Sequence, residues 1–375
     1  MSRDFVRSLP VHDRSPRNSR WTRLHIDPVL LAFLLGVVGF GLFILYSAVD
    51  QSETLFRAQL IRLGLALAVL IVAAQLPPQI YLRWSPYLYV LGVLMLIAVL
   101  LFGVTVKGST RWLDIPGLLR FQPSEVMKIA VPMAVAWYLH DKVLPPSFKD
   151  VVVSLMIIIV PAACIVVQPD LGTSILVAGA GLAVVVLAGL PWRWMAIAAG
   201  LLAAAAPGLW YSLQDYQKQR ILTLFDPESD PLGAGWNIMQ STTAIGSGGL
   251  TGKGLFEGTQ SHLDFLPEAR TDFIIAVIGE ELGLVGVITL LGLYLAIIAR
   301  GLYLAAMSES TYGRLLAGAL VLTFFVYAFV NVAMVSGLLP VVGVPLPLVS
   351  YGGTSALTLL AGFGIIMAVR THKAW

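Results

Sequence analysis

The chain has 375 residues, of which 58% are hydrophobic and only 12% are charged, and its formal net charge is +3 at pH 7. Because about a quarter of the residues of an ordinary soluble protein are charged, this composition excludes a water-soluble globular fold. The basic residues are dispersed or flank apolar segments, which is typical of membrane orientation rather than nucleic-acid binding, and the single cysteine, Cys164, excludes an intrachain disulfide and a cysteine-based metal site.

The pattern of apolar residues predicts helices that cross a membrane. Apolar runs of about 17–25 residues, each long enough to span a bilayer, recur along the whole chain, and we find no alternating segments of the kind that membrane β-strands need. The first run starts near Pro28 and is too long for the core of a cleavable signal peptide. The predicted fold class is an all-α integral membrane protein with about ten transmembrane helices and a large outward-facing loop between the seventh and eighth.

The chain divides into a basic tail (1–27), one polytopic membrane domain (28–370) and a short tail (371–375). The predicted spans are 28–48, 57–76, 84–103, 123–140, 150–168, 171–189, 192–211, 271–299, 314–338 and 353–369. An even number of spans puts both termini on one side, and the short connections on that side are consistently basic, which predicts that both termini are cytoplasmic. The polar segments 104–122, 168–170, 212–270 and 339–352 then lie together on the outer face of the membrane.

The first outer loop combines aromatic, acidic and basic residues. Arg111 and Arg120 accompany Trp112, a residue type found at headgroup level in membrane proteins. At the start of the next span, Glu125 and Lys128 are three residues apart, share one helix face and can pair. Two interpretations remain open with equal weight: a salt bridge that neutralises a polar helix end, and a substrate-facing pair in which the lysine binds phosphate.

The hinge at 166–174 interrupts two apolar runs. Pro169 and Gly172 break the helix, and Asp170 can cap the helix that follows. A tight helical hairpin is the favoured interpretation.

The largest loop, 212–270, is too long to be a passive connection. A run of turn-forming residues at 226–237 precedes a short helix predicted at 238–245. The glycine-rich segment 245–258 is superficially similar to a phosphate-binding loop, but a Walker A motif needs glycine at Ser247 and serine or threonine at Gly254, so no nucleotide site is predicted. Two interpretations remain: backbone N–H groups with Lys253 binding pyrophosphate as an anion nest, and a glycine-rich turn that shapes the loop.

The last outer connection, 340–355, holds three prolines and three glycines between apolar helices. Irregular backbone at membrane depth is tolerated only where it is buried in protein or lines a wet cavity. The sequence therefore predicts a re-entrant cavity wall near Ser350 and Tyr351.

Asp272 lies where a polar loop becomes a strongly apolar helix. A carboxylate at such a junction costs free energy unless it has a partner, water or a chemical task. A helix that starts near residue 271 would place Asp272 and Glu280 on one face, about 12 Å apart along the axis. We expect Glu280 and its neighbour Glu281 to be structural acids.

Eight segments in order carry a family resemblance. They are KGSTRWLD (107–114), RFQPSE (120–125), QPDLGTS (168–174), DPESDPLGAGWN (226–237), GSGGLTGKG (246–254), LPEARTDF (266–273), GEELG (279–283) and PLVSYGGTS (347–355). Together they resemble the SEDS family (shape, elongation, division and sporulation), over roughly residues 25–370. The short tails and the DPESDPLGAG form favour the elongation branch over the division branch.

The resemblance implies a ten-span peptidoglycan glycosyltransferase that polymerises lipid II on the outer face of the cytoplasmic (inner) membrane. It implies a class B penicillin-binding protein as transpeptidase partner, other elongation-complex proteins, and contact with the growing glycan strand and membrane lipids. The family's catalytic aspartate corresponds to Asp272, and a conserved glutamate corresponds to Glu125. The family motif commonly has histidine where this chain has Arg270, so a role for that histidine is not carried over.

Glycosyl transfer from a diphospholipid needs a base for the acceptor hydroxyl and positive charge for the leaving pyrophosphate. Asp272 is the predicted base, and the basic residues available for pyrophosphate are Arg111, Arg120, Lys128, Lys253 and Arg270. A divalent cation, Mg²⁺ or Mn²⁺, could bind Asp272 and diphosphate oxygens together, since hard cations prefer oxygen ligands. Two other function classes remain open: a lipid II flippase and a non-catalytic scaffold for a transpeptidase.

Overall fold

The computed structural model describes residues 24–106, 109–113, 122–231, 233–262 and 268–372. Within these ranges the longer helices are α1 (Pro28–Ala48), α2 (Glu53–Gln75), α3 (Pro78–Phe102), α4 (Pro123–Leu139), α5 (Phe148–Val167), α6 (Leu171–Leu187), α7 (Trp192–Ser212), α8 (Asp215–Phe225), α9 (Ala234–Ser247), α10 (Ile274–Ala306), α11 (Thr311–Val335) and α12 (Thr354–Thr371). Strand β1 (Val104–Val106) pairs antiparallel with β2 (Ser109–Trp112). A 3-10 turn (Pro227–Ser229) and a four-residue helix (Thr259–His262) lie in the largest loop.

The structure confirms an α-helical membrane protein. Every predicted span coincides with a helix, with ends displaced by a few residues. By length and composition, seven helices in the described ranges are apolar enough to cross a membrane, and they are α1, α2, α3, α5, α10, α11 and α12. Helix α6 is apolar but shorter, and the count of ten spans stays a prediction.

The helices form a bundle with α11 and α12 at its centre. In their apolar windows 67% and 61% of the residues are buried, against 22% in α2, α3 and α5. The outer helices expose large apolar side chains such as Ile61, Leu101 and Met156, as expected for faces in contact with lipid rather than water. The fold is therefore apolar inside and outside, and its polar side chains are concentrated at the helix ends.

Helix α7 stands beside this bundle rather than within it. Every side chain from Trp192 to Gly208 is exposed. Its sequence is rich in alanine and glycine, which offer little apolar surface for packing against a neighbour.

The bundle has two distinct ends. The terminal end holds the first and last described residues, 24 and 372. There Asp27 caps α1 by accepting from the amide of Leu30 (2.8 Å), and it also pairs with Arg300 (2.6 Å). The hairpin end holds β1–β2, α8, α9 and the first residues of α6, α10 and α12. The described residues of the segments that the sequence analysis predicts to face outward lie at the hairpin end.

Candidate functional site

Asp272 lies in a closed turn directly before α10. The helix begins at Ile274, three residues later than predicted, because the carbonyl of Glu268 accepts hydrogen bonds from the amides of Thr271 (3.1 Å) and Phe273 (3.2 Å) and so closes a turn. The side chain of Asp272 is half-buried. The carboxylate therefore belongs to a turn at the mouth of the bundle and not to a helix face.

Three successive carbonyls of this turn accept hydrogen bonds from other elements. Tyr351 donates its amide to Arg270 O (2.9 Å), the hydroxyl of Ser350 donates to Thr271 O, and the amide group of Asn331 donates to Asp272 O (2.7 Å). We call this set of bonds the 270–272 clamp. It fixes the main chain of the turn while leaving the Asp272 side chain partly accessible.

The connection between α11 and α12 forms the wall beside Asp272. Ser350 is 6% exposed and its hydroxyl accepts from the amide of Leu346 (2.8 Å), so this part of the connection is buried in protein; the re-entrant cavity wall stays a prediction. Gly343 has φ +72°, and a Cβ there would lie 3.5 Å from Asp272 Oδ2. The glycine thus lets the backbone turn immediately next to the carboxylate.

A second acidic residue lies at the hairpin end with an arginine partner. Asp170 caps α6 through the amide of Thr173 (3.1 Å), which confirms the predicted hinge. Arg111 on β2 donates to the carbonyl of Pro169 (3.0 Å) and lies 3.4 Å from Asp170 Oδ2. Because Asp170 is only 3% exposed, this ion pair joins the β1–β2 hairpin firmly to the start of α6.

Arg220 on α8 is a site residue that the sequence analysis did not select. Burial and the charge of Arg111 lower the pKa of Arg220, whereas Tyr216 and the carboxylates of Asp170 and Asp272 act in the opposite direction. An arginine remains protonated at neutral pH even so. Arg220 therefore brings a positive charge within electrostatic range of Asp272. Residues 212–270 have no dominant apolar periodicity, so α8 was read as loop and its arginine had no predicted direction.

The predicted pair of Glu125 and Lys128 forms, but it lies inside the bundle. The two residues are each 5% exposed, and Lys128 Nζ is 2.7 Å from Glu125 Oε1. Lys128 also donates to the Tyr327 hydroxyl (3.0 Å), and Thr358 donates to Glu125 Oε2 (3.0 Å). This network joins α4, α11 and α12, which agrees with the neutralising interpretation; contact with a substrate stays a prediction.

The predicted anion ligand Lys253 pairs with Glu280 at 2.7 Å. Glu280 Oε1 also accepts from the backbone amides of Thr259 (2.8 Å) and Gln260 (2.9 Å), and its side chain is completely buried. The neighbouring Glu281 accepts from Ser47 at 2.7 Å. Both acids are therefore structural, as expected.

The glycine-rich segment packs against a break in α10. At Gly283 the backbone adopts φ 63° and ψ −158°, which interrupts the helix. The amides of Lys253 and Gly254 donate to the carbonyls of Glu280 (3.0 Å) and Glu281 (3.1 Å). These backbone donors serve α10, so the segment behaves as a shaping turn; binding of pyrophosphate by Lys253 stays a prediction.

The remaining predicted site residues differ in their placement. Trp112 lies on β2 opposite Val104 and is partly buried. Arg270 is partly buried, two residues before Asp272. Arg120 lies outside the described residues. The structure thus gathers Arg111, Arg270 and Ser350 with Asp272 at the hairpin end, whereas Glu125, Lys128 and Lys253 have partners elsewhere.

The described residues contain no group of three or more His, Cys, Asp or Glu side chains that could hold a metal ion. A structural ion held by protein alone does not fit this donor set, because hard divalent cations take six or more oxygen ligands. A divalent cation at Asp272 would have to take its other ligands from diphosphate oxygens and water.

Comparisons with known proteins identify a matching family and several similar proteins. Residues 23–374 match the family FTSW_RODA_SPOVE, described as "Cell cycle protein". The chain is 51% identical over 362 residues to peptidoglycan glycosyltransferase MrdB of Escherichia coli (strain K12), covering 96% of this chain and 98% of that protein. It is 35% identical to the probable peptidoglycan glycosyltransferase FtsW of Trichlorobacter lovleyi, covering 92% of each.

Two solved structures are similar over nearly the full length. One is a chain from work on the structural coordination of polymerization and crosslinking by a peptidoglycan synthase complex, with a TM-score of 0.81 and 30% identity over 92% of this chain and 97% of that chain. The other is the rod shape determining protein RodA of Thermus thermophilus, with a TM-score of 0.69 and 28% identity over 92% of this chain and 96% of that one.

Proposed function

The chain belongs to the FtsW/RodA/SpoVE family of cell cycle proteins, and we propose that it polymerises lipid II into glycan strands with Asp272 as the general base. Its identity of 51% over 96% of its length to a peptidoglycan glycosyltransferase makes it an enzyme of that class. We assign it to the RodA type, which serves elongation of the cell wall and rod shape. The observation that carries the site assignment is the 270–272 clamp, which fixes the backbone of a partly accessible carboxylate at the end of the bundle that also holds the partly buried Arg111, Arg220 and Arg270.

The chemistry assigns one task to Asp272. A sugar hydroxyl of the acceptor attacks the anomeric carbon of the donor, a new C–O bond forms, and the bond from that carbon to the diphosphate oxygen breaks. The hydroxyl proton passes to the Asp272 carboxylate, and the lipid diphosphate leaves with the electron pair of the broken bond. A carboxylate whose main chain is held in three places is well suited to this step, because catalytic geometry tolerates little displacement.

Positive charge near the carboxylate favours departure of the diphosphate. Arg220 lies within electrostatic range of Asp272, and Arg111 lies within range of Arg220. Guanidinium groups bind phosphate oxygens with charge-assisted hydrogen bonds. We assign leaving-group stabilisation to these two residues and to Arg270, which lies two residues before Asp272 in the chain. Participation of Mg²⁺ or Mn²⁺ is a separate proposal, which chelation during the polymerisation assay tests.

Position and partners complete the proposal. We place the hairpin end on the outer face of the cytoplasmic membrane and both termini inside, since the short basic connections lie at the terminal end. Similarity to a chain of a peptidoglycan synthase complex supports a partner that crosslinks the product. We propose a class B penicillin-binding protein in that role, within a larger elongation complex.

Incubation of the purified protein with fluorescent lipid II tests the function. We expect glycan polymer from the wild-type protein and none from Asp272→Asn, which keeps the shape of the side chain and removes its basicity. Asp215→Asn, at an exposed aspartate of the same end, is the matched control and should polymerise normally. Polymer from Asp272→Asn would refute the base assignment. Translocation without polymer would identify a flippase, and neither activity would identify a scaffold.

A further inference from the structure

Asn331 holds the proposed base from within the bundle. It lies on α11 with 0% exposure, and its amide nitrogen donates to Asp272 O at 2.7 Å and to Val344 O at 2.6 Å. A carboxamide nitrogen carries two hydrogens, so both are used. We infer that Asn331 is a positioning residue that fixes the Asp272 carboxylate for proton transfer, an inference that rests on the proposed function.

The two carbonyls that Asn331 binds belong to the two main-chain segments that flank the carboxylate. One is Asp272 itself, and the other is Val344, next to Gly343, whose backbone faces Asp272 Oδ2. The Asn331 side chain thus sets the distance between these two main-chain segments. Ser350 and Tyr351 hold only the two preceding carbonyls, from a connection that is itself irregular.

The orientation of Asn331 has a cost that indicates its purpose. Its Oδ1 is buried and has no hydrogen-bond partner among the described residues. Reversing the amide would place this oxygen against two carbonyl oxygens, so the observed orientation is the one that the donors require. A buried acceptor without a partner is destabilising, which is consistent with a residue that serves the geometry of Asp272 rather than stability.

Helix α11 holds Asn331 in a fixed position. One turn earlier on the same helix, the Tyr327 hydroxyl accepts from Lys128 (3.0 Å) and contacts Ser355 (3.1 Å). These bonds tie α11 to α4 and α12. The position of Asn331, and through it that of Asp272, therefore follows the bundle centre rather than the surface loops.

Kinetics of lipid II polymerisation by purified variants test this role. Asn331→Asp keeps the size of the side chain but replaces both donors with acceptors, and Asn331→Ala removes them. Since a displacement of about 1 Å in a catalytic group can lower the rate about 100-fold, we expect a fall of that order in kcat with little change in KM. Thr323→Val is the matched control, because Thr323 is a buried residue of the same helix whose hydroxyl donates to the carbonyl of Ala319, one turn earlier on α11.

Hydrogen exchange supplies a readout that does not depend on activity. We expect faster exchange of the backbone amides over 268–276 in both Asn331 variants, because these substitutions open the 270–272 clamp. We expect no change in Thr323→Val, because that substitution leaves the clamp intact. A wild-type kcat in either Asn331 variant, or unchanged exchange in both, would overturn the inference. Rapid exchange of the Thr271 and Phe273 amides in the wild-type protein would overturn it even if neither variant folds. A wild-type enzyme that makes no polymer would instead overturn the proposed function.

Discussion

The buried ion pair of Glu125 and Lys128 offers a quantitative test of the bundle centre. Each residue is 5% exposed, and the two charges are 2.7 Å apart. Replacing one partner, as in Glu125→Met or Lys128→Met, leaves the other charge buried without compensation. Breaking a buried pair in this way costs about 3–5 kcal/mol of the free energy of unfolding, and we expect each single variant to lose stability of that order.

The double variant should recover most of this loss. With both charges gone, the groups that contacted them keep other partners: the Tyr327 hydroxyl retains Ser355 (3.1 Å), and Thr358 Oγ1 retains the carbonyls of Thr354 (3.1 Å) and Ser355 (3.0 Å) of its own helix. The hydroxyl groups of Tyr327 and Thr358 therefore both keep a hydrogen-bond partner. Because replacement of a buried pair by apolar residues of similar volume is often neutral, we expect Glu125→Met with Lys128→Met to lie within about 2 kcal/mol of the wild-type protein.

Equilibrium unfolding of the purified variants, followed by tryptophan fluorescence, measures these differences, and lipid II polymerisation is measured on the same samples. A double variant as unstable as either single variant would refute the compensation argument. A double variant that is stable but makes no polymer would show that the pair faces the substrate, which is the interpretation that the buried network disfavours.

Two further predictions concern packing and pH. A Cβ at Gly248, the residue that follows α9, would lie 1.9 Å from Gly279 O, whereas Gly246, in the last turn of α9, has open space around it. We therefore expect Gly248→Ala to lower the free energy of unfolding by about 1–3 kcal/mol and Gly246→Ala to leave it unchanged or raise it; equal unfolding midpoints would contradict this contact. At the terminal end, the rings of His25 and His372 stack at 3.7 Å, and burial, followed by the charge of His372, lowers the pKa of His25. The unfolded chain therefore binds this proton more readily than the folded one, so stability is lost as the pH falls below the ordinary histidine pKa of about 6.5. We expect the thermal midpoint to fall between about pH 7 and pH 5 and His25→Phe to reduce that fall; the same pH dependence in both proteins would refute the assignment to His25.

Local patterns were sufficient for the long apolar helices. In lipid, the backbone must satisfy its hydrogen bonds internally, so each long apolar run is forced to be helical whatever its neighbours are. Caps are local too: the predicted role of Asp170 depends on residues three positions apart, and the structure has that bond. The start of α10 was placed too early because the turn closed by Glu268 has no apolar periodicity of its own.

The candidate site was only partly predictable. Asp272 was found from sequence because a carboxylate at the edge of an apolar helix is costly without a task. Arg220 and Asn331 were not found, since one lies in a segment read as loop and the other resembles any polar residue within a span. For Lys253 the sequence left two interpretations open, an anion ligand and part of a shaping turn, and it gave no sign that the lysine pairs with Glu280, 27 residues later.

The sequence by itself determined the membrane class, the positions of the long apolar helices and the carboxylate at their mouth, because hydropathy and capping act within a few residues. Only the tertiary structure decided which side chains meet at that carboxylate. The bond from Asn331 to Asp272 joins residues 59 positions apart. The helix break at Gly283 packs against the glycine-rich segment some 30 residues earlier. Such pairings depend on how the helices pack, and no spacing along the chain records them.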